Sequence, residues 1–171
     1  QQNALTGHWR LLDADNVRQA WGSRQACMAT LDQFALENRL TTPRVVILLH
    51  GLMRSAQSMQ GVGELLAAQP EFTVIYFEYA STRSSIGNHA QALRELVAGL
   101  PDDVQLDFVG HSMGNIVVRH FIGDLQRNDD RATLERIGHV VMLGPPNQGS
   151  SIARQLSKTG VFGWITGKGG L

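Results

Sequence analysis

Gly110-His111-Ser112-Met113-Gly114 follows an apolar run, Val104 to Val109, and precedes Asn115-Ile116-Val117-Val118. The five residues fit G-x-S-x-G, and their surroundings predict a β-strand, a sharp turn and then a helix. A turn that tight forces Ser112 into a strained backbone state, tolerated only where nothing crowds it. Glycines at 110 and 114 meet that condition, because side chains there would strike the neighbouring strand or helix. The pattern predicts a hydroxyl lifted clear at the carboxyl edge of a sheet, beside the unpaired N–H groups of a helix start. A nucleophilic serine is the preferred reading. The alternative is a plain strand–helix connection with a serine cap.

Working outward, Val45-Val46-Ile47-Leu48-Leu49 is an unbroken apolar run, suited to a central parallel strand buried on both faces. A serine-capped helix is expected over Ser58 to Ala68, and a second strand over Phe72 to Phe77. A helix from Ser85 or Asn88 runs to Leu100, the third strand is Val104 to Val109, and the elbow helix runs from Met113 to about Leu125. Ile137 to Leu143 is the fourth strand. Strands separated by helices of about three turns indicate βαβ units with right-handed crossovers. Gly144-Pro145-Pro146-Asn147-Gln148-Gly149 reads as a rigid loop, with a short helix from Ser150 or Ser151 to Leu156 and a glycine-rich loop over Gly160 to Leu171. Residues 1 to 42 read as a helical extension packed on the core, with Asn16 as a candidate cap. Residues 43 to 171 form the core itself.

His50-Gly51-Leu52-Met53 follows the first of these strands as the elbow follows the third. Ligands of open α/β sheets gather beyond the carboxyl ends of the strands, so the two motifs converge on one edge. A serine attacking a carbonyl creates an oxyanion that needs aimed donors. The N–H groups of Leu52 and Met113 are the natural pair, with Gly51 letting the loop come close. His50 is read as fixing this loop by a ring hydrogen bond rather than as the base. His111 is expected to be turned away by the elbow, as a core or sheet-edge histidine.

The chain resembles the α/β-hydrolase superfamily, and within it small bacterial lipase- or esterase-like proteins, from about Pro43 to Leu156. The resemblance rests on V-V-I-L-L-H-G-L-M-R-S-A-Q-S-M at 45 to 59, E-Y-A-S-T-R-S-S-I at 78 to 86, F-V-G-H-S-M-G-N-I-V at 108 to 117 and V-M-L-G-P-P-N-Q-G-S at 141 to 150. It implies an α/β fold with a mostly parallel central sheet and flanking helices, and an oxyanion hole at Leu52 and Met113. It also implies an acid and a histidine after Ser112, in that order. His120 lies eight residues along the elbow helix, roughly 12 Å away by helical rise. His139 lies at the start of a strand, the far end from the elbow. Asp124, Asp129, Asp130 and Glu135 form a charge run around a turn and read as solvated. The expected fold is therefore the front portion of the hydrolase core, incomplete at the C-terminus. The acid and histidine are expected beyond Leu171 or on a separate C-terminal segment, and the fourth strand is left as an unprotected edge.

Around this centre, Arg54 and Arg83 follow strand ends and border the pocket, either to clamp an anionic substrate group or to anchor loop carbonyls. Glu78 is a candidate partner for one of them. Met53 and Tyr79 line an acyl or alcohol channel or serve as wall and core. Asn147-Gln148-Gly149-Ser150 shapes the mouth. The apolar rim of Leu52, Met53 and Met113 favours medium or longer acyl chains.

At 171 residues, 43% hydrophobic and 18% charged, the chain has the balance of one globular domain. Fifteen Lys+Arg match fifteen Asp+Glu, so no net field draws nucleic acid or an acidic membrane. No run of eighteen apolar residues predicts a membrane span. Cys27 is the only cysteine, which excludes an internal disulfide and a cysteine metal cluster. Gln1 is not a translation start, and removal of a signal peptide is one reading of that. The resemblance implies a soluble, bacterial-like protein, and the compartment is left open between cytoplasm and export. The preferred function is a serine hydrolase acting on small-molecule or lipid esters without metal or cofactor. A thioesterase, amidase or acyltransferase would use the same residues. A binding or scaffold protein that kept the fold without the acid and histidine is the competing class. A nucleotide-binding oxidoreductase fits poorly, since no G-x-G-x-x-G follows the first strand.

Overall fold

The computed structural model describes residues 8–12, 18–37 and 42–147. The chain divides into two compact units, Gln1–Thr41 and Thr42–Leu171.

In the first unit, β1 (Trp9–Leu12) pairs antiparallel with β2 (Arg18–Gly22), and α1 (Arg24–Glu37) follows. Residues 18 to 22, expected to begin a helix, thus form a strand. Trp21 stacks on His8 at 4.7 Å and the Arg24 guanidinium lies 5.8 Å over the Trp9 ring. Such aromatic contacts favour the paired strands, and helical periodicity cannot register them. Gly22, at φ 135°, ends the strand, and the Ser23 hydroxyl accepts the Ala26 N–H at 3.1 Å to open α1.

The second unit is a four-stranded, wholly parallel sheet in the order β4-β3-β5-β6, with β3 at Arg44–Leu49, β4 at Phe72–Phe77, β5 at Gln105–His111 and β6 at Ile137–Leu143. Helices α2 (Gln60–Ala67), α3 (Ile86–Ala98) and α4 (Met113–Arg127) connect successive strands, and a short α5 (Arg131–Glu135) precedes β6. This is the expected α/β-hydrolase-like arrangement. The apolar run of β3 is the central strand, with Val45 to Leu49 all buried. On one face Val46 and Leu48 pack with Met59 and Val109, joined by Val62, Leu66 and Val74. Val45, Ile47 and Leu49 point the other way. Elsewhere the ring of Phe108 on β5 meets Phe121 of α4 at 5.7 Å. Each such buried side chain contributes about 1.5–3 kcal/mol over leaving it in water.

Local chemistry moves some boundaries. The helix expected from Ser58 begins as a 3₁₀ turn over Ala56–Met59, and no side chain caps α2. Ser85 does cap α3, accepting the Asn88 N–H at 3.2 Å. Asp130 is not simply solvated: it caps α5 by accepting the Thr133 N–H at 3.2 Å and pairs with Arg94 at 2.9 Å. Those contacts, the Thr133 N–H foremost, hold its carboxyl below the ordinary range. A bulge sets two residues of β6, Gly138 and His139, opposite Asp107. The buried Asp107 carboxylate closes the bulge by accepting the His139 N–H at 2.8 Å and Arg44 at 2.6 Å. β6 ends the order of the sheet, and Val141 and Met142 on it are 48% and 46% exposed. The short helix expected before Leu156 and the loop over Gly160 to Leu171 lie outside the described residues.

Candidate active site

Strand order reverses between β3 and β5, which are adjacent, so the loops leaving their carboxyl ends open onto one crevice. Leu49 pairs with Gly110 at that edge. Ser112 stands between the end of β5 and the start of α4 with φ 50° and ψ −114°, a conformation rare for a residue with a Cβ. Its hydroxyl does not cap the helix.

Close packing explains the flanking glycines. A Cβ on Gly110 would stand 2.6 Å from Asn115 Oδ1 and 2.8 Å from its backbone nitrogen, and one on Gly114 would stand 2.5 Å from the Leu49 carbonyl oxygen. The turn is also tied to the sheet. The Ser112 N–H donates to the Leu143 carbonyl at 2.9 Å, and the Asn115 amide donates to the carbonyls of both Ser112 and Leu143 at 3.1 Å.

The His50-Gly51-Leu52-Met53 loop faces this turn. A Cβ on Gly51 would lie 2.9 Å from His111 Nδ1 and 3.2 Å from Ser112 Cβ. The His111 ring packs beside Gly51. Met53 is the second non-glycine here with positive φ, at 56°, and its side chain is 63% exposed. Leu52 and Met113 are half-buried, and neither backbone N–H has an acceptor among the described residues.

His50 is fully buried. Its Nδ1 donates to the Gly51 carbonyl at 2.9 Å, as a carbonyl can only accept, and the Arg54 N–H donates to the same oxygen at 3.2 Å. His50 Nε2 lies 3.6 Å from Glu78 Oε1, beyond hydrogen-bonding distance, and accepts the Tyr79 N–H at 3.4 Å. Tyr79 is buried behind the loop, its ring stacked on His50 at 4.2 Å and its hydroxyl donating to the His50 carbonyl. Burial and the Glu78 charge push the Tyr79 phenol far up. The expected pairing of Glu78 with Arg54 or Arg83 is replaced. Both arginines are exposed, while Glu78 Oε2 accepts the Ala56 N–H at 2.5 Å. Burial raises the Glu78 carboxyl, but the His50 ring and the Ala56 N–H outweigh it and hold the group below its ordinary range. The Ser81 hydroxyl accepts the Met53 N–H at 3.0 Å.

Among the described residues no imidazole or carboxylate bonds the Ser112 hydroxyl. His120 faces Asp124 at 3.6 Å, and His139 bonds Asp107 at the amino end of the sheet. His89 is buried against Tyr79 at 4.8 Å with its Nε2 lacking a partner. Burial, then the nearby His50, lowers the His89 pKa against the opposing pull of the Ser84 carbonyl. No group of three or more His, Cys, Asp or Glu among the described residues is placed to hold a metal, and no described helix is long and apolar enough to cross a membrane. Asn147 accepts a hydrogen bond from Arg119 at 3.3 Å, while Gln148, Gly149 and Ser150 lie outside the described residues. Sequence reasoning missed Asn115 and Ser81, and the roles of Glu78 and Tyr79. Their only signal was position, directly after the elbow and just after β4.

Solved structures of similar fold include a metagenomic carboxyl esterase, MGS0156, at TM-score 0.54 and 21% identity over 67% of this chain. This chain spans only 34% of that protein's length. The Bacillus licheniformis lipase BlEst2 in mature form matches at TM-score 0.49 and 20% identity, over 77% of this chain and 53% of the lipase. A thioesterase of prodiginine biosynthesis from Streptomyces coelicolor, RedJ, matches at 0.40 and 16%, over 70% and 48% of the two chains. The likeness to the carboxyl esterase is one of fold. No curated protein sequence matches significantly. A family model described as a domain of unknown function, DUF7379, matches residues 10–166, and the chain belongs to that family.

Proposed function

We propose that this chain carries the nucleophile and oxyanion-binding half of a serine hydrolase acting on carboxylic esters. One observation carries the reading: Ser112 holds a strained φ of 50° at a strand–helix junction, with a hydroxyl that caps nothing and a glycine loop packed against its Cβ. Such strain persists where the surrounding structure enforces it, and it clusters at sites of chemistry. In the proposed reaction Ser112 Oγ bonds to the ester carbonyl carbon and its proton passes to a histidine base. The oxyanion is held by the Leu52 and Met113 N–H groups, and the alcohol then leaves with that proton. Water attacks the acyl-serine, releasing the acid and restoring the hydroxyl. The histidine and its acid are supplied by further residues of the full-length protein or by a separate C-terminal segment, because among the described residues no imidazole bonds the Ser112 hydroxyl.

The substrate is a small-molecule or lipid ester, and the apolar rim of Leu52, Met53 and Met113 favours medium or longer acyl chains. No cofactor takes part. A thioesterase, amidase or acyltransferase would share this half of the site. That the Ser112 hydroxyl has no imidazole or carboxylate partner among the described residues favours one second reading, a binding protein that retains the fold without turnover.

The test uses the full-length protein with short and long p-nitrophenyl esters and a fluorophosphonate probe. Wild type is expected to hydrolyse esters and to label at Ser112, and Ser112→Ala to abolish both. Neither labelling nor turnover in the wild type would establish the binding-protein reading instead.

A further inference from the structure

The loop facing Ser112 is held from behind by side chains of one short segment, Glu78 to Ser81. Three loop positions are pinned. The Gly51 carbonyl accepts from the ring of His50, whose other nitrogen faces Glu78 at 3.6 Å and the Tyr79 N–H at 3.4 Å. The Met53 N–H donates to Ser81 Oγ at 3.0 Å, and the Ala56 N–H donates to Glu78 Oε2 at 2.5 Å.

The first of these pins sets a direction. A trans peptide is planar, so its C=O and the following N–H point opposite ways. With the Gly51 carbonyl turned toward His50 and the Arg54 N–H, the Leu52 N–H must point away from them. The other two pins brace Met53, which holds φ 56° as the third residue of the turn closed by the Gly51 carbonyl and the Arg54 N–H. Released from Glu78 and Ser81, the turn can relax by rotating the Leu52–Met53 peptide, whose N–H Ser81 holds, and the backbone on either side shifts with it, carrying the Leu52 N–H off its aim.

We propose that Glu78 and Ser81 are positioning residues that aim the Leu52 N–H at the reacting oxygen without touching substrate themselves. The inference rests on reading Ser112 as the nucleophile. A donor to an oxyanion acts in the transition state and little in the ground state, so its misalignment lowers kcat and spares KM. Losing one such donor outright costs about 10²–10³ in kcat.

The experiment compares full-length wild type, Glu78→Ala, Glu78→Gln, Ser81→Ala and Ser112→Ala on p-nitrophenyl butyrate, with Tm for each. Glu78→Ala and Ser81→Ala are expected to lower kcat by roughly 10- to 100-fold with KM within about threefold. Glu78→Gln, which keeps an acceptor for the Ala56 N–H, is expected to recover most of the loss. If Glu78→Ala fails to fold, Ser81→Ala decides by the same split. Unchanged kcat in Ser81→Ala, and in Glu78→Ala where it folds, while Ser112→Ala is dead overturns this inference alone. A rise in KM at constant kcat overturns it too, because that is the mark of ground-state binding. Activity that survives Ser112→Ala, or a wild type without turnover, removes the nucleophile reading and this inference together.

Discussion

Gly114 seats the first turn of α4 directly on the Leu49 carbonyl of β3, leaving 2.5 Å where a Cβ would stand. The neighbour is backbone in the central strand and cannot swing aside. Gly114→Ala is therefore expected to cost about 1–3 kcal/mol by overpacking. Gly123, on the same helix, meets only the flexible Arg127 guanidinium at 3.5 Å. Gly123→Ala is expected to stabilise by about 0.5–1 kcal/mol through helix propensity. Urea midpoints of the two variants should move in opposite directions.

Asn115 is 1% exposed and its amide serves two carbonyls, one in the turn and one at the end of β6. Asn115→Leu keeps the bulk but strips both bonds. The expected loss is about 1–3 kcal/mol for leaving buried carbonyls short of a donor. Fluorophosphonate labelling of Ser112 should slow as well, because the turn is no longer fastened to β6.

Two groups predict distinct pH windows. His89 has its pKa lowered in the folded state, so between that value and the ordinary histidine range only the unfolded chain binds the proton. Stability is then full above about pH 6.5 and falls as pH drops below it. His89→Phe should flatten that part of a stability profile. The Glu78 carboxyl is also lowered, so its contribution is present above the ordinary carboxylate range and is lost only as pH falls beneath it. Glu78→Gln should flatten the acid end and leave the region near pH 6 alone. Chemical denaturation at a series of pH values separates the two.

Asp107 joins Arg44 to the bulge of β6 at the end of the sheet remote from Ser112. Asp107→Ala leaves Arg44 without its carboxylate and the His139 N–H without its acceptor, for an expected loss of about 1–3 kcal/mol. Because the change lies at the amino end, Ser112 labelling of the folded variant should match wild type. Labelling rate and unfolding midpoint, measured on one sample, check both halves.

β3 was legible because burial on both faces leaves a continuous apolar signature, Val45 to Leu49, that a helix of that length does not share. Ser112, Gly110 and Gly114 were legible because a strained turn restricts which residues can flank it. The pairing of β1 with β2 was hidden, since setting Trp9 opposite Gly22 and Arg10 opposite Trp21 is something no local period encodes. Glu78 was misassigned for a related reason. Arginine is the obvious partner in a list of charges, but folding sets the carboxylate against a backbone N–H and a buried imidazole. Asn115 looks like an ordinary polar helix residue until β6 brings the Leu143 carbonyl to it.

The order of strands in space differs from their order along the chain, and this has a kinetic consequence. β3 can pair with β4 early, through the short α2 crossover, but its other edge waits for β5, the strand that leads into Ser112. Until then the most apolar strand of the protein has one row of N–H and C=O groups open to any chain nearby. Refolding yield should therefore fall steeply with protein concentration, and the strained turn at Ser112 should be among the last features to mature. The rate at which a refolding sample becomes susceptible to the phosphonate probe then reports the insertion of β5 beside β3.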